Sequence, residues 1–225
     1  MKRPANALAL AVLTLLYEKP MHPYEMSTTL RHRSKEESIK LNYGSLYAVV
    51  ESLRKKGLVE AGETRREGNR PERTIYALTP EGEHAMREWL AEMLRDPSPQ
   101  FTDFEAALSL MGAIPPDVVE DMLRQRLEAL AKESAKSNGL RAMMPEGFPE
   151  IFTVEGEYAQ HMREAESAYV RSLLEKISSG RLGGLEGWAR LHELREAGHS
   201  GDDLQQKLAE EFPGIFDWTL DDAGG

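Results

Sequence analysis

Cysteine is absent from all 225 residues. That excludes disulfides and thiolate metal sites, and it suits a cytoplasmic address. Long apolar runs are scarce as well. The stretch ALALAVLTLLY, residues 7–17, is too short to span a bilayer. It follows Met1-Lys2-Arg3 as a secretory signal would, yet Tyr17-Glu18-Lys19-Pro20 offers no small-x-small cleavage site. A helix buried on nearly all sides, with no membrane partner, is the expectation.

Catalytic constellations are missing too. There is no glycine-rich phosphate loop, and Gly198-His199-Ser200-Gly201 fails as a nucleophile elbow because Asp202 stands where glycine is needed. That segment reads better as a loop, with Asp202 capping the following helix. His161 and Glu164 have the i, i+3 spacing of helical metal ligands, but no second pair matches them. The expectation is a protein without catalytic residues, metal or cofactor, and not an enzyme.

What is present is an ordinary globular composition, 40% hydrophobic and 29% charged, with a lopsided charge. The net charge is −10, yet residues 1–96 hold 16 basic against 14 acidic groups and the remaining 129 hold 12 against 24. A locally basic surface can bind nucleic acid in an acidic chain, because counterion release depends on the patch. The first part also has the pattern for such a surface. A helix over 5–17 ends at Lys19-Pro20; a second starts at Pro23, with Tyr24, Met26 or Ser27, and Leu30 on its apolar side. Ile39-Lys40-Leu41 reads as a short extended piece. A third helix follows Asn42 as N-cap, carries Leu46, Val49 or Val50, and Leu53 on one face, and ends at Gly57.

Strands over 58–64 and 73–79 then form a hairpin, with Ile75 and Ala77 on one face and Tyr76 and Leu78 on the other. Their loop, RREGNRPE, is longer and more basic than a hairpin requires. Thr79-Pro80-Glu81 starts a fourth helix with Met86, Trp89, Leu90, Met93 and Leu94 as its stripe, and Asp96-Pro97-Ser98-Pro99 marks a boundary.

The rest is helical. One helix spans about 116–138, with Val119, Leu123, Leu127 and Leu130 on a face and Gly139 after it. Another spans about 154–178, with Val154, Tyr158, Met162, Ala165, Tyr169, Leu173 and Ile177 in a stripe that suits two long helices packed together, within or between chains. Two short amphipathic patterns follow, Leu185/Trp188/Leu191 and Leu204/Leu208/Phe212. The predicted class is mainly α with a small β-hairpin. The predicted domains are a winged helix-turn-helix over 1–96, a helical dimerisation and effector domain over 97–180, and a helical extension over 181–225.

The order helix, helix, helix, hairpin, helix is that of a winged helix. The segments MHPYEM, NYGSLYAVVESLRKKGLVE and NRPERTIYALTPEGEHAMREWL, within roughly residues 8–95, resemble the PadR family of bacterial transcriptional regulators. Pro23 stands where that family commonly has glycine, and Val49-Val50 where a leucine is usual. The resemblance implies a repressor that binds a palindromic operator as a homodimer through its C-terminal helices. It also implies an effector, a small aromatic or hydrophobic molecule, held between the winged helix and those helices. Phenolic acids are the eponymous ligands, and multidrug-type cations serve in a shorter subfamily. Candidate effector residues here are Trp89, Met93, Tyr158, Met162 and Tyr169; the competing reading makes that stripe dimer core.

The DNA-facing candidates have a physical rationale. A helix tip approaches base edges only where small or polar residues let the backbone come close, as Asn42, Gly44 and Ser45 do. Tyr43 and Tyr47, one turn apart, could reach a phosphate or a thymine methyl, or could fill the core. Arg65, Arg66, Arg70 and Arg73 fall within nine residues at the hairpin tip, opposed only by Glu67 and Glu72, as a wing against phosphates requires. Arg54, Lys55 and Lys56 fit secondary phosphate contacts or compensation of the helix dipole. A protein-docking winged helix is the alternative function.

Overall fold

In the computed structural model, which describes residues 7–39, 43–65, 73–99 and 101–214, the chain divides into two units, Met1–Gln100 and Phe101–Gly225. The apolar stretch near the N-terminus is helix α1 (Ala7–Glu18), buried on all sides: Leu8, Val12, Leu13, Leu15 and Leu16 are each within a few per cent of full burial. Helix α2 (Pro23–His32) follows a short turn, and α3 (Tyr43–Lys55) sends Leu46, Val50 and Leu53 into the same core at i, i+4 and i+7. A single 3₁₀ turn, Lys35–Glu37, lies between α2 and α3 where an extended piece was expected; Ile39 packs against the core, and Lys40 and Leu41 lie outside the described residues.

Strands β1 (Val59–Arg65) and β2 (Arg73–Leu78) pair antiparallel from Val59↔Leu78 to Arg65↔Arg73, with an irregularity between Ala61 and Thr64. Tyr76 and Leu78 pack on the core, as strand alternation predicts. Met21 exchanges two backbone hydrogen bonds of 3.1 Å with Tyr76, which ties the turn before α2 to the hairpin.

Helix α4 (Pro80–Arg95) begins where three segments meet. Gly57, at φ 71°, ends the α3 turn. Thr79 Oγ1 donates to the Gly57 carbonyl at 2.8 Å and accepts from the Gly82 N–H at 3.0 Å, while the Thr79 N–H donates to the Leu58 carbonyl. At Gly82 a Cβ would lie 1.9 Å from that carbonyl oxygen, so the helix can sit this close only because residue 82 has no side chain. Ala85, Met86 and Trp89 bury the inner face of α4. The anticipated stripe stops there. Leu90, Met93 and Leu94 are exposed, because the core they would cover ends with α1.

The second unit is built on α6 (Pro116–Ala142) and α7 (Val154–Ser178). Val119 and Leu123, early in α6, cluster with Val170, Leu173, Leu174 and Ile177, late in α7, as in an antiparallel pair. Helix α6 runs through Gly139 to Ala142 instead of ending before the glycine. No neighbouring atom crowds that position, and an isolated helical glycine costs only about 1 kcal/mol. On α7 the buried face is Val170, Leu173, Leu174 and Ile177, whereas Val154, Tyr158, Met162 and Tyr169 are exposed.

A short helix that the sequence pattern did not announce, α5 (Asp103–Leu110), is capped by Thr102 and lends Phe104 and Leu108 to the cluster. The final pair, α8 (Leu185–Glu196) and α9 (Gly201–Glu211), packs around Leu194, Leu204 and Leu208. Ser200, not Asp202, occupies the N-cap position of α9, and Asp203 meets His199 at 2.5 Å. Helix α8 is pinned to the turn before α6: Trp188 Nε1 donates to the Ile114 carbonyl at 2.8 Å, and His192 Nε2 donates to the Gly112 carbonyl at 3.0 Å.

Candidate nucleic-acid interface

Helix α3 has two faces. Leu46, Val50 and Leu53 anchor one in the core, which turns Gly44, Ser45, Tyr47, Ala48 and Ser52 to the outside. Tyr47 is 48% exposed, so the alternative of a tyrosine filling the core does not hold for it. Tyr43 is the first residue of α3. Asn42, the expected cap, lies outside the described residues.

The hairpin ladder ends at the pair Arg65↔Arg73. Chain connectivity therefore puts the loop containing Arg66 and Arg70 at that end, and these two lie outside the described residues. At the other end of α3, Arg54 makes a bidentate ion pair with Glu51, at 2.9 and 2.7 Å. That pairing holds the Glu51 carboxyl below its ordinary range and favours the compensating role of Arg54 over a phosphate contact.

Beside α3 stands a residue that the sequence pattern missed. His22 is the N-cap of α2; its Nδ1 accepts the Tyr24 N–H at 3.0 Å, and Pro23 occupies the first helical position. Its ring meets that of Tyr47 with centroids 6.3 Å apart and planes at 72°. Helix α2 is further fixed by Ser27, fully buried, whose Oγ donates to the Tyr24 carbonyl at 2.7 Å. Its C-terminal end is held by Arg33, which clamps Glu18 of α1 at 2.5 and 2.7 Å. A clue was available in the sequence: a residue just before a helix-starting proline is a cap position, and imidazole can accept there.

The effector candidates are scattered. Trp89 is 2% exposed within the core of the first unit, and its Nε1 has no hydrogen-bond partner among the described residues. Met93 is exposed on α4, and Tyr158, Met162 and Tyr169 are exposed on α7 of the second unit. His161 Nδ1 engages the Glu157 carbonyl of its own helix at 2.9 Å. Among the described residues no three metal-capable side chains gather, and no helix is long and apolar enough to cross a membrane.

Residues 12–88 match the sequence profile described as the transcriptional regulator PadR-like family. Among curated proteins none matches the sequence significantly. Similar solved structures include Bacillus subtilis PadR in complex with operator DNA, at 18% identity and a TM-score of 0.59, covering 76% of this chain and 98% of that one. The same protein in complex with p-coumaric acid gives 17% and 0.60 over the same shares. The PadR-like regulator BC1756 from Bacillus cereus gives 14% and 0.52, covering 77% and 99%. At these identities the likeness is one of fold. The profile adds the lineage: over residues 12–88 this chain carries a PadR-like transcriptional-regulator domain on a winged-helix fold, a regulatory and not an enzymatic module.

Proposed function

We propose that the chain is a sequence-specific DNA-binding regulator, a ligand-responsive repressor that acts as a homodimer on a palindromic operator. The observation that carries this reading is the outward face of α3, with Gly44, Ser45 and Tyr47 exposed, next to a hairpin whose ladder ends at Arg65 and Arg73. In this reading Asn42, Tyr43, Ser45 and Tyr47 meet the major groove. Arg65, Arg66, Arg70 and Arg73 lie along the flanking phosphates or minor groove.

Residues 1–96 would form the reader, 97–180 the dimerisation and effector domain, and 181–225 an added extension. The homodimer is supported by the exposed apolar residues Met122, Val154, Tyr158, Met162 and Tyr169 on α6 and α7, more than a monomer's surface ordinarily leaves open. The effector reading is supported by the p-coumaric acid complex of Bacillus subtilis PadR. An aromatic acid bound near Trp89, Met93, Tyr158, Met162 and Tyr169 would shift the dimer toward a half-site spacing that fits DNA poorly.

The test is selection of duplexes from a random-sequence pool by the purified protein, followed by titration at several salt concentrations. Wild type should enrich a palindrome. Arg65→Ala with Arg70→Ala should weaken binding and flatten the slope of log K against log salt by about 2, roughly 0.9 per lost phosphate contact. An unchanged slope would remove the hairpin arginines from the interface, and no enrichment at all would remove the DNA-binding reading.

A further inference from the structure

We infer that His22 is a positioning residue for base readout: its ring holds Tyr47 edge-on at the exposed surface of α3. This rests on the DNA-binding reading above and adds to it a residue outside the recognition helix and the hairpin.

The argument starts from what Tyr47 lacks on its own helix. Side chains three and four positions away are its natural supports. Gly44, at i−3, has none; Val50, at i+3, is turned into the core; and Glu51, at i+4, is engaged by Arg54. A half-exposed tyrosine with so little support samples several rotamers, and a DNA-bound state must then select one. The support comes from the neighbouring element. The His22 ring stands at 6.3 Å and 72° to the Tyr47 ring, within the range of favourable edge-to-face aromatic pairs.

His22 is itself immobilised three times over. Met21, on one side, is fully buried and exchanges both backbone hydrogen bonds with Tyr76. Pro23, on the other, has its φ fixed by its ring. The imidazole is oriented by Nδ1 accepting the Tyr24 N–H, which leaves the ring proton of the neutral form on Nε2. A rigid ring presented by α2 thus fixes a mobile ring on α3. The ordering of Tyr47 is completed during folding and is not charged to binding.

Two substitutions separate this role from plain helix capping. His22→Asn keeps a strong N-cap acceptor and removes the ring; His22→Phe keeps a ring and removes the acceptor. Binding is read on the duplex that wild type enriches from a random pool, with thermal unfolding as the check on folding. The expected result is a loss of about fivefold in affinity for His22→Asn, the weight of one aromatic pair, and less than about twofold for His22→Phe. In a Tyr47→Ala background His22→Asn should have no further effect. An Asn variant that binds like wild type, or a loss that persists undiminished in that background, overturns the inference. If wild type selects no duplex, the DNA-binding reading fails instead. The positioning claim is then decided in the free protein, where His22→Asn must shift the NMR signals of the Tyr47 ring protons; unmoved signals overturn it.

Discussion

Replacing Gly82 by alanine sets a local preference against a tertiary one. Helix propensity favours alanine over glycine by up to about 1 kcal/mol. Against this, the added Cβ would lie 1.9 Å from the Leu58 carbonyl oxygen and 2.8 Å from Leu78 Cδ1. Relief requires opening the junction by about 1.5 Å, the difference between 1.9 Å and an ordinary 3.4 Å contact. Leu58 cannot yield alone, because its own N–H is bonded to the Leu53 carbonyl at 3.0 Å. Three hydrogen bonds cross the same junction: Thr79 N–H to the Leu58 carbonyl, Thr79 Oγ1 to the Gly57 carbonyl, and Gly82 N–H to Thr79 Oγ1. At about 1 kcal/mol each they are worth roughly 3 kcal/mol. The net effect is destabilisation of the first unit by about 2–3 kcal/mol, or roughly 10–20 °C in Tm for a unit of this size. Circular dichroism melting measures it, with amide hydrogen exchange to assign the loss to the first unit. Gly139→Ala is the control, since no atom lies within 4 Å of its added Cβ and the same substitution should stabilise by up to about 1 kcal/mol. A Gly82→Ala protein as stable as wild type would refute the reasoning.

Trp188→Phe keeps the aromatic packing of α8 but strands the Ile114 carbonyl; it should cost about 1 kcal/mol, read as a lower urea midpoint for the second unit. Met162→Glu with Tyr169→Glu places charge on the exposed face of α7 and should convert a dimer to monomers by sedimentation, with helicity retained. The Arg33 guanidinium, hydrogen-bonded to Glu18, holds that carboxyl below its ordinary 4.5. A depressed carboxyl pKa contributes stability at pH above the unfolded value and loses it as pH falls through the folded value. Acid unfolding below about pH 4.5 should therefore be less steep in Glu18→Gln than in wild type, by a small amount because the pair is exposed to solvent.

The sequence by itself determined the elements that rest on local chemistry. Proline at a first helical position marked α2 and α4, the left-handed glycine at 57 ended α3, and apolar spacing placed Leu46, Val50 and Leu53 inward. The resemblance to PadR regulators was likewise carried by linear motifs within the stretch that the family profile matches. Tertiary structure decided which apolar stripes were covered. Leu94 and Tyr158 have the periodicity of core residues yet are 80% and 67% exposed, because periodicity reports a face and not what lies against it. It alone brought His22 to Tyr47, 25 positions apart, through the packing of α2 on α3. And it alone gave Gly82 its reason, since nothing in a linear pattern records how closely a distant carbonyl approaches.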